Sequence, residues 1–277
     1  MNGPVLLTGA SGFVGRQVLG PLRAAGVDLH SCGPVAPTDG TVTHYDLDLF
    51  DTEAGDALLA DLRPTRILHL AWYVAHRLFW EAPENAAWRD LTFAFARSAA
   101  AHGVRRFVGI GTCAEYDLTV RPGAPRREDD PLAGTTYYGR IKIETFRGLE
   151  AIFAGAGVSF AWARLFHLWG PGEAPGRLVS ELLACLARDE PFRLGAPHAV
   201  RDVASTVEIG RALAALLLGD LQGPVNIAGG VPRTLLEVCL EFAGPLGKTH
   251  LVDASSDGGR GDVLVADVTR ARAAGIV

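Results

Sequence analysis

From its first residues to about position 166, the chain alternates short apolar runs with segments whose apolar residues recur at helical spacing. "PVLL" predicts a strand and "FVGRQVLGPLRAAG" a helix; "VDLHSCG" and "TVTHYDL" predict two further strands, and "DTEAGDALLADLRP" a second helix. Next come the apolar "RILHLAW", a long helix through "AWRDLTFAFARSAAAHG" and the strand "RRFVGIGT". A further helix is predicted from near Thr136 to about Ala154, followed by the strand "VSFAWARLF". Strands separated by helices imply right-handed crossovers and a mostly parallel sheet, so the fold class is α/β. Between the last two helices and strands, "DLTVRPGAPRREDDPLAGTT" is rich in proline, glycine and charge and predicts a long surface loop, functional or mobile. Beyond Trp169 the elements are short and punctuated by glycine and proline, as in a smaller lobe.

Composition narrows the class. With 277 residues, 48% of them hydrophobic, the chain can bury one large core, or one core with a smaller lobe attached. No apolar run reaches membrane-spanning length, and the first residues lack a signal peptide's basic flank, so no membrane partner and a cytoplasmic location are expected. The four cysteines, Cys32, Cys113, Cys185 and Cys239, are far apart; they predict buried apolar thiols rather than a metal site or a disulfide framework. A net charge of −5 argues against a nucleic-acid partner and leaves any anionic ligand to local arginines.

Two stretches carry candidate chemistry. In "TGASGFVG", Gly9, Gly12 and Gly15 fall where the first strand turns into the first helix, the place where a dinucleotide's pyrophosphate meets unpaired helix-start amides. In "TTYYGRIKIETF", Tyr138 and Lys142 lie four apart on a helix and share a face. An ammonium beside a phenol favours the phenolate, so the pair predicts a Tyr138 pKa lowered from about 10 toward neutrality and a usable acid/base group.

With "GTCAEYD" at the end of the intervening strand, and "DLDLFD", "ILHLAW", "RLFHLWGPGE", "RDVASTVEIG" and "RGDVLVADVTRA" in order, the chain resembles the extended short-chain dehydrogenase/reductase family. The likeness is to its nucleotide-sugar epimerases, dehydratases and ketoreductases. It implies a Rossmann-type doubly wound parallel sheet in residues 1–165 and a smaller C-terminal substrate-binding lobe in residues 166–277, shortened at its end, with about 202–228 packing back on the first domain. It further implies Thr112 as the hydroxyl that bonds the reacting sugar oxygen, Tyr138 as general acid/base, and Lys142 as the residue that holds the nicotinamide ribose.

For the cofactor, the resemblance implies Gly9, Ser11, Gly12, Phe13, Val14 and Gly15 around the pyrophosphate, Asp48 and Leu49 beside the adenine, and Leu70, Ala71 and Trp72 along the other half. Where NAD-preferring relatives carry an acid at the end of the second strand, this chain reads His30, Ser31, Cys32; with Arg16 placed to reach a 2′-phosphate, NADP(H) is favoured over NAD(H). The expected partner is a nucleotide-diphosphate sugar, held by Trp72, Tyr73, Thr112, Cys113, His167, Arg177, Arg201 and Arg260, the two last as a guanidinium clamp. Trp80 and Trp88 read as core aromatics. A homodimer through the helices around 86–102 and 136–154 is also implied.

The reaction follows by comparison within that group. Dehydratases carry Asp-Glu after the active Thr, whereas Cys113-Ala114 follow Thr112 here. Relatives that epimerise beside a ketone use a Cys two residues after the active hydroxyl plus a His in the small lobe; Ala114 occupies the first position, Arg177 lies near the second, and Cys113 is expected to face away. What remains is hydride transfer: an NADPH-dependent reductase of a nucleotide-linked 4-keto-6-deoxy sugar, with a 4-epimerase as the alternative and a non-catalytic dinucleotide sensor as a third reading.

Overall fold

The computed structural model describes residues 3–256 and 261–277. In chain order the larger part contains β1 (Val5–Thr8), α1 (Gly15–Ala24), β2 (Leu29–Gly33), β3 (Thr43–Asp46), α2 (Thr52–Leu62), β4 (Arg66–His69), α3 (Glu84–Ala101), β5 (Arg106–Thr112), α4 (Tyr137–Ala156) and β6 (Ser159–Leu165). There follow β7 (His167–Trp169), α5 (Leu178–Ala187), β8 (Phe192–Arg193), β9 (Val200–Ser205), α6 (Thr206–Leu218), β10 (Gly223–Ile227), β11 (Pro232–Thr234), α7 (Leu235–Ala243), β12 (Val252–Asp253), β13 (Val263–Leu264) and α8 (Thr269–Ala273).

Seven parallel strands form the main sheet in the order β10-β6-β5-β4-β1-β2-β3. The two-residue alternation of strands divides its core cleanly. Val5, Leu7, Leu68, Val108, Ala161 and Ala163 face α1 and α6 through Val18, Leu22, Leu213 and Leu217. Leu6, Ile67, Phe107, Phe160 and Trp162 face the opposite layer through Leu59 of α2, Phe95 of α3 and Leu149 and Phe153 of α4. A sheet buried on both faces explains why these strands read as continuous apolar runs. Strand order reverses between β1 and β4, and the crevice beyond their carboxyl ends is where such sheets bind ligands.

Beyond β6 the chain builds a second, four-stranded sheet from β11, β9, β13 and β7, while β8 and β12 pair with each other. Leu182, Leu186, Phe192, Cys239 and Ala243 give this part its own cluster. Two segments return to the main sheet: β10 extends it beside β6, and α6 joins the cluster around α1.

The segment from Asp117 to Thr136 forms no regular element and is largely exposed, as its composition predicts, but it is anchored from within. Arg126 is buried; its guanidinium donates to the carbonyls of Asp117, Val120 and Arg121, and its backbone N–H donates to Val265 O at 2.8 Å. Asn226 of β10 donates to Arg126 O at 2.8 Å, so the segment ties the main sheet to the chain near β13. The outward face of α3 and α4 is charged, with Arg97, Arg140, Glu144, Arg147 and Glu150 exposed and Arg89 paired to Glu144. Among the described residues, no helix is long and apolar enough to cross a membrane.

Candidate active site

The glycine turn lies at the strand-order reversal. Gly9 has φ 69°, and a Cβ there would stand 2.8 Å from Ala71 N; a Cβ on Gly15 would stand 2.1 Å from Gly9 O. Glycine at both positions lets α1 start directly against β1 and the end of β4. Thr8 ties the strand ends together, its carbonyl accepting from Leu70 N–H and its hydroxyl from Ala71 N–H, both at 3.2 Å. Among the described residues, the amides of Phe13 and Val14 have no backbone acceptor, which fits a bound pyrophosphate at this helix start.

Arg16 does not extend toward β2. Its guanidinium folds back on the turn, donating to Gly12 O at 3.1 Å and Ser11 O at 3.2 Å, and lies against Gly172 of the facing loop. Ser31 is also displaced from its expected place. It is buried in the strand, paired with Leu7 and hydrogen-bonded to His44 Nδ1 at 3.0 Å; Cys32 and Gly33 end the strand at the crevice, and neither is a carboxylate. Asp48 accepts from Phe50 N–H at 3.0 Å beside buried Leu49, holding the turn after β3.

The catalytic candidates meet at the ends of β5 and α4. Thr112 opens a turn of 3₁₀ helix at Cys113–Glu115, accepting from Ala114 N–H at 3.2 Å, while its own N–H donates to Glu115 Oε1 at 2.9 Å. Glu115 is fully buried with Arg164, Nε to Oε2 at 2.7 Å, and also accepts from Trp162 Nε1. Three separate groups cap the start of α4. Thr136 Oγ1 accepts from Gly139 N–H, the Glu81 carboxylate from Tyr137 N–H, and Trp80 O from Tyr138 N–H. Tyr138 is thereby fixed near Thr112, whose hydroxyl is close enough to favour the phenolate.

The electrostatics differ from the expectation for Tyr138. Burial, followed by the charge on Glu115, pushes the phenol above its usual range, against smaller opposition from Thr112 and Arg177. Lys142 does not lower it, because its Nζ donates to Ile110 O at 2.9 Å and stands 3.4 Å from the centre of the Trp72 ring, whereas the Tyr138 ring centre is 5.9 Å away. Burial pulls Lys142 down to about 7, with Glu115 acting the other way.

Across the crevice, His167 presents a buried Nδ1 with no partner among the described residues. Burial, then Arg201 and Arg177, pulls its pKa down to about 4, so it is a neutral group free to make one hydrogen bond. Arg177 stands over Phe13, its Cζ 5.8 Å from the ring centre, and lies close enough to Tyr138 to bias the phenol. Arg201 is brought near His167, but its fork is occupied: it donates to both Asp262 carboxylate oxygens, at 2.8 and 2.9 Å. Arg260 lies outside the described residues. Cys113 packs with Tyr116, Phe166 and Leu264, and burial pushes its thiol up to about 12, which leaves it an apolar group rather than a substrate ligand. All four cysteines are free and buried. Tyr73 is half-buried on the loop after β4, which reaches the far wall where His76 Nε2 lies 3.2 Å from Gly176 O.

Trp80, read as a core aromatic, lies instead beside Tyr138, and Phe79, Glu115 and Asn85 went unread in the sequence. Trp80 is 43% exposed, and it and Phe79 meet the Tyr138 ring edge-on with centres 5.9 and 4.9 Å away. Glu115 sets both Thr112 and the charge that faces Tyr138. Buried Asn85 accepts from Trp72 Nε1 at 2.9 Å and donates to Phe79 O and Ala82 O. A capping Glu after Thr112 had a signal in its three-residue spacing; the other two had none.

This geometry coincides with a known family along most of the chain: residues 5–228 match the family model of the NAD dependent epimerase/dehydratase family. The chain belongs to that family. Among its curated members, a dTDP-6-deoxy-L-talose 4-dehydrogenase (NAD(P)(+)) of Kitasatospora kifunensis is 27% identical over 97% of this chain and 88% of the relative. A UDP-glucose 4-epimerase of Bacillus subtilis is 24% identical over 88% of this chain and 82% of the relative. A solved UDP-glucose 4-epimerase of Thermus thermophilus, in complex with NAD, superposes with a TM-score of 0.85 at 22% identity, covering 99% of this chain and 93% of the other. That structural likeness shows that this member of the epimerase/dehydratase family has the family's Rossmann-like parallel sheet flanked by helices.

Proposed function

We propose that the protein is an NADPH-dependent reductase of a nucleotide-linked 4-keto-6-deoxy sugar. The observation that carries this reading is the meeting of Tyr138 and Thr112 at the ends of α4 and β5, beside the crevice. Reduction of a ketone needs a hydride on carbon and a proton on oxygen. The cofactor, when bound, supplies the hydride. Tyr138, held neutral by burial and by the facing charge of Glu115, is a proton donor, and Thr112 beside it offers a second hydrogen bond to the same developing alkoxide. The relative from Kitasatospora, whose name gives a 4-dehydrogenase of a dTDP-6-deoxy sugar, supports the choice of substrate class.

Preference for NADPH is supported by the end of β2, where Cys32 and Gly33 offer no carboxylate to repel a 2′-phosphate. His167 and Arg177 are the groups placed to bind the nucleotide-sugar, the first through its unpartnered Nδ1. The names of the two 4-epimerase relatives favour a second reading, in which the same residues oxidise and re-reduce the sugar. Incubation with a panel of nucleotide-linked 4-keto sugars and NADPH tests the proposal. Loss of nicotinamide absorbance with a keto sugar supports reduction; interconversion of reduced sugars with no net loss supports the epimerase.

A further inference from the structure

Among the described residues, Lys142 is a buried ammonium without a carboxylate in hydrogen-bonding contact; its hydrogen bond there is to Ile110 O, and an ammonium has three protons to place. Burying such a charge is costly, and the groups facing it are mixed. His69 of β4 is neutral, its pKa pulled down to about 3 by burial. Glu115 after β5 favours the ammonium but is already paired with Arg164 of β6, and Tyr138 on α4 itself is uncharged. The closest group is the indole of Trp72, its centre 3.4 Å from Nζ, well inside cation–π range, with Trp162 more distant at 5.6 Å. Trp72 is itself fixed: its Nε1 donates to Asn85, which is anchored in turn to the carbonyls of Phe79 and Ala82.

We infer that Trp72 is a positioning residue: its indole face, oriented by Asn85, holds the Lys142 ammonium in place and keeps it ionised where no free carboxylate does. Lys142 is then kept beside the crevice with its charge supported by the Trp72 ring. The inference extends the role given to Lys142 in the proposed reduction, but it can be tested without any substrate.

Lys142 and Lys248 are the only lysines in the sequence, so protein grown with ¹³C-labelled lysine gives two ε-methylene signals, which Lys248→Arg assigns. In the parent, the Lys142 signal is expected upfield, shifted by the ring current of Trp72, and to titrate near neutrality. Trp72→Leu is expected to abolish the upfield shift and lower the Lys142 midpoint by about one pH unit. Trp72→Phe, which keeps a weaker ring face and guards against a misfolded leucine variant, is expected to lie between the two. A merely structural Trp72 would leave the midpoint where it is; an unchanged Lys142 titration in both variants overturns the inference. Titrating NADPH into the same proteins across pH separates this outcome from the proposed activity. A shifted lysine with unaltered cofactor affinity would keep the positioning role and count against Lys142 as the ribose-holding group.

Discussion

At the level of single residues, the account turns on which side chains are charged. Tyr138→Phe keeps the ring and removes the proton donor, so turnover is expected to fall by roughly 10²–10⁴ with cofactor affinity nearly unchanged. Tyr137→Phe, one position earlier on the same turn, is the control and is expected to be mild in steady-state assays. His69 tests the same reasoning through stability. Burial, and then the neighbouring Lys142, hold it neutral in the folded chain, with its pKa pulled down to about 3 against about 6.5 unfolded, while its ring is hydrogen-bonded to Thr8 and Thr92. Because the unfolded chain takes up a proton first, stability is present above the unfolded pKa and is lost as pH falls toward the folded one. Denaturant melts are expected to lose about 2 kcal/mol from His69 between pH 7.5 and 5, and His69→Gln is expected to flatten that slope. The Tyr138–Lys142 pair was legible because helical spacing alone puts residues four apart on one face. That Lys142 would turn to Trp72 was not. Nor was the locking of Arg201 by Asp262, sixty-one positions away, since no local pattern encodes such partners.

Whole elements were easier to read than their attachments. The strands of the main sheet are buried on both faces, and α4 begins where a capping Thr136 precedes it, so periodicity and caps locate them. The segment from Asp117 to Thr136 has the exposure its charge suggested, but its anchoring by Arg126, which satisfies three carbonyls from within it, was not legible. Arg126→Ala leaves those carbonyls unpaired and is expected to lower the thermal midpoint and open the segment to proteolysis; an unchanged cleavage pattern would mean the tie is unimportant. The turn before α1 supports a different expectation. Since Arg16 rests on the carbonyls of Ser11 and Gly12, Arg16→Ala is expected to weaken NADPH and NADH by similar factors, about tenfold or more. Loss confined to NADPH in calorimetric titrations would instead place Arg16 on the 2′-phosphate.

Over the whole molecule, a doubly wound sheet supplies the crevice and the chain beyond β6 supplies its far wall, with Arg177 near both Tyr138 and His167. The parallel sheet followed from the alternation of elements, and the family from the order of motifs, but the environment of the Tyr138 phenol did not. The decisive measurement is the fate of the hydride. With NADPH deuterated at its transferable position and a nucleotide-linked 4-keto-6-deoxy sugar, the account expects one NADPH oxidised per sugar and deuterium at carbon 4 of the product, while fully reduced nucleotide sugars without added cofactor are left unchanged. Tightly retained nicotinamide, interconversion of two reduced sugars and no net oxidation of NADPH would contradict it.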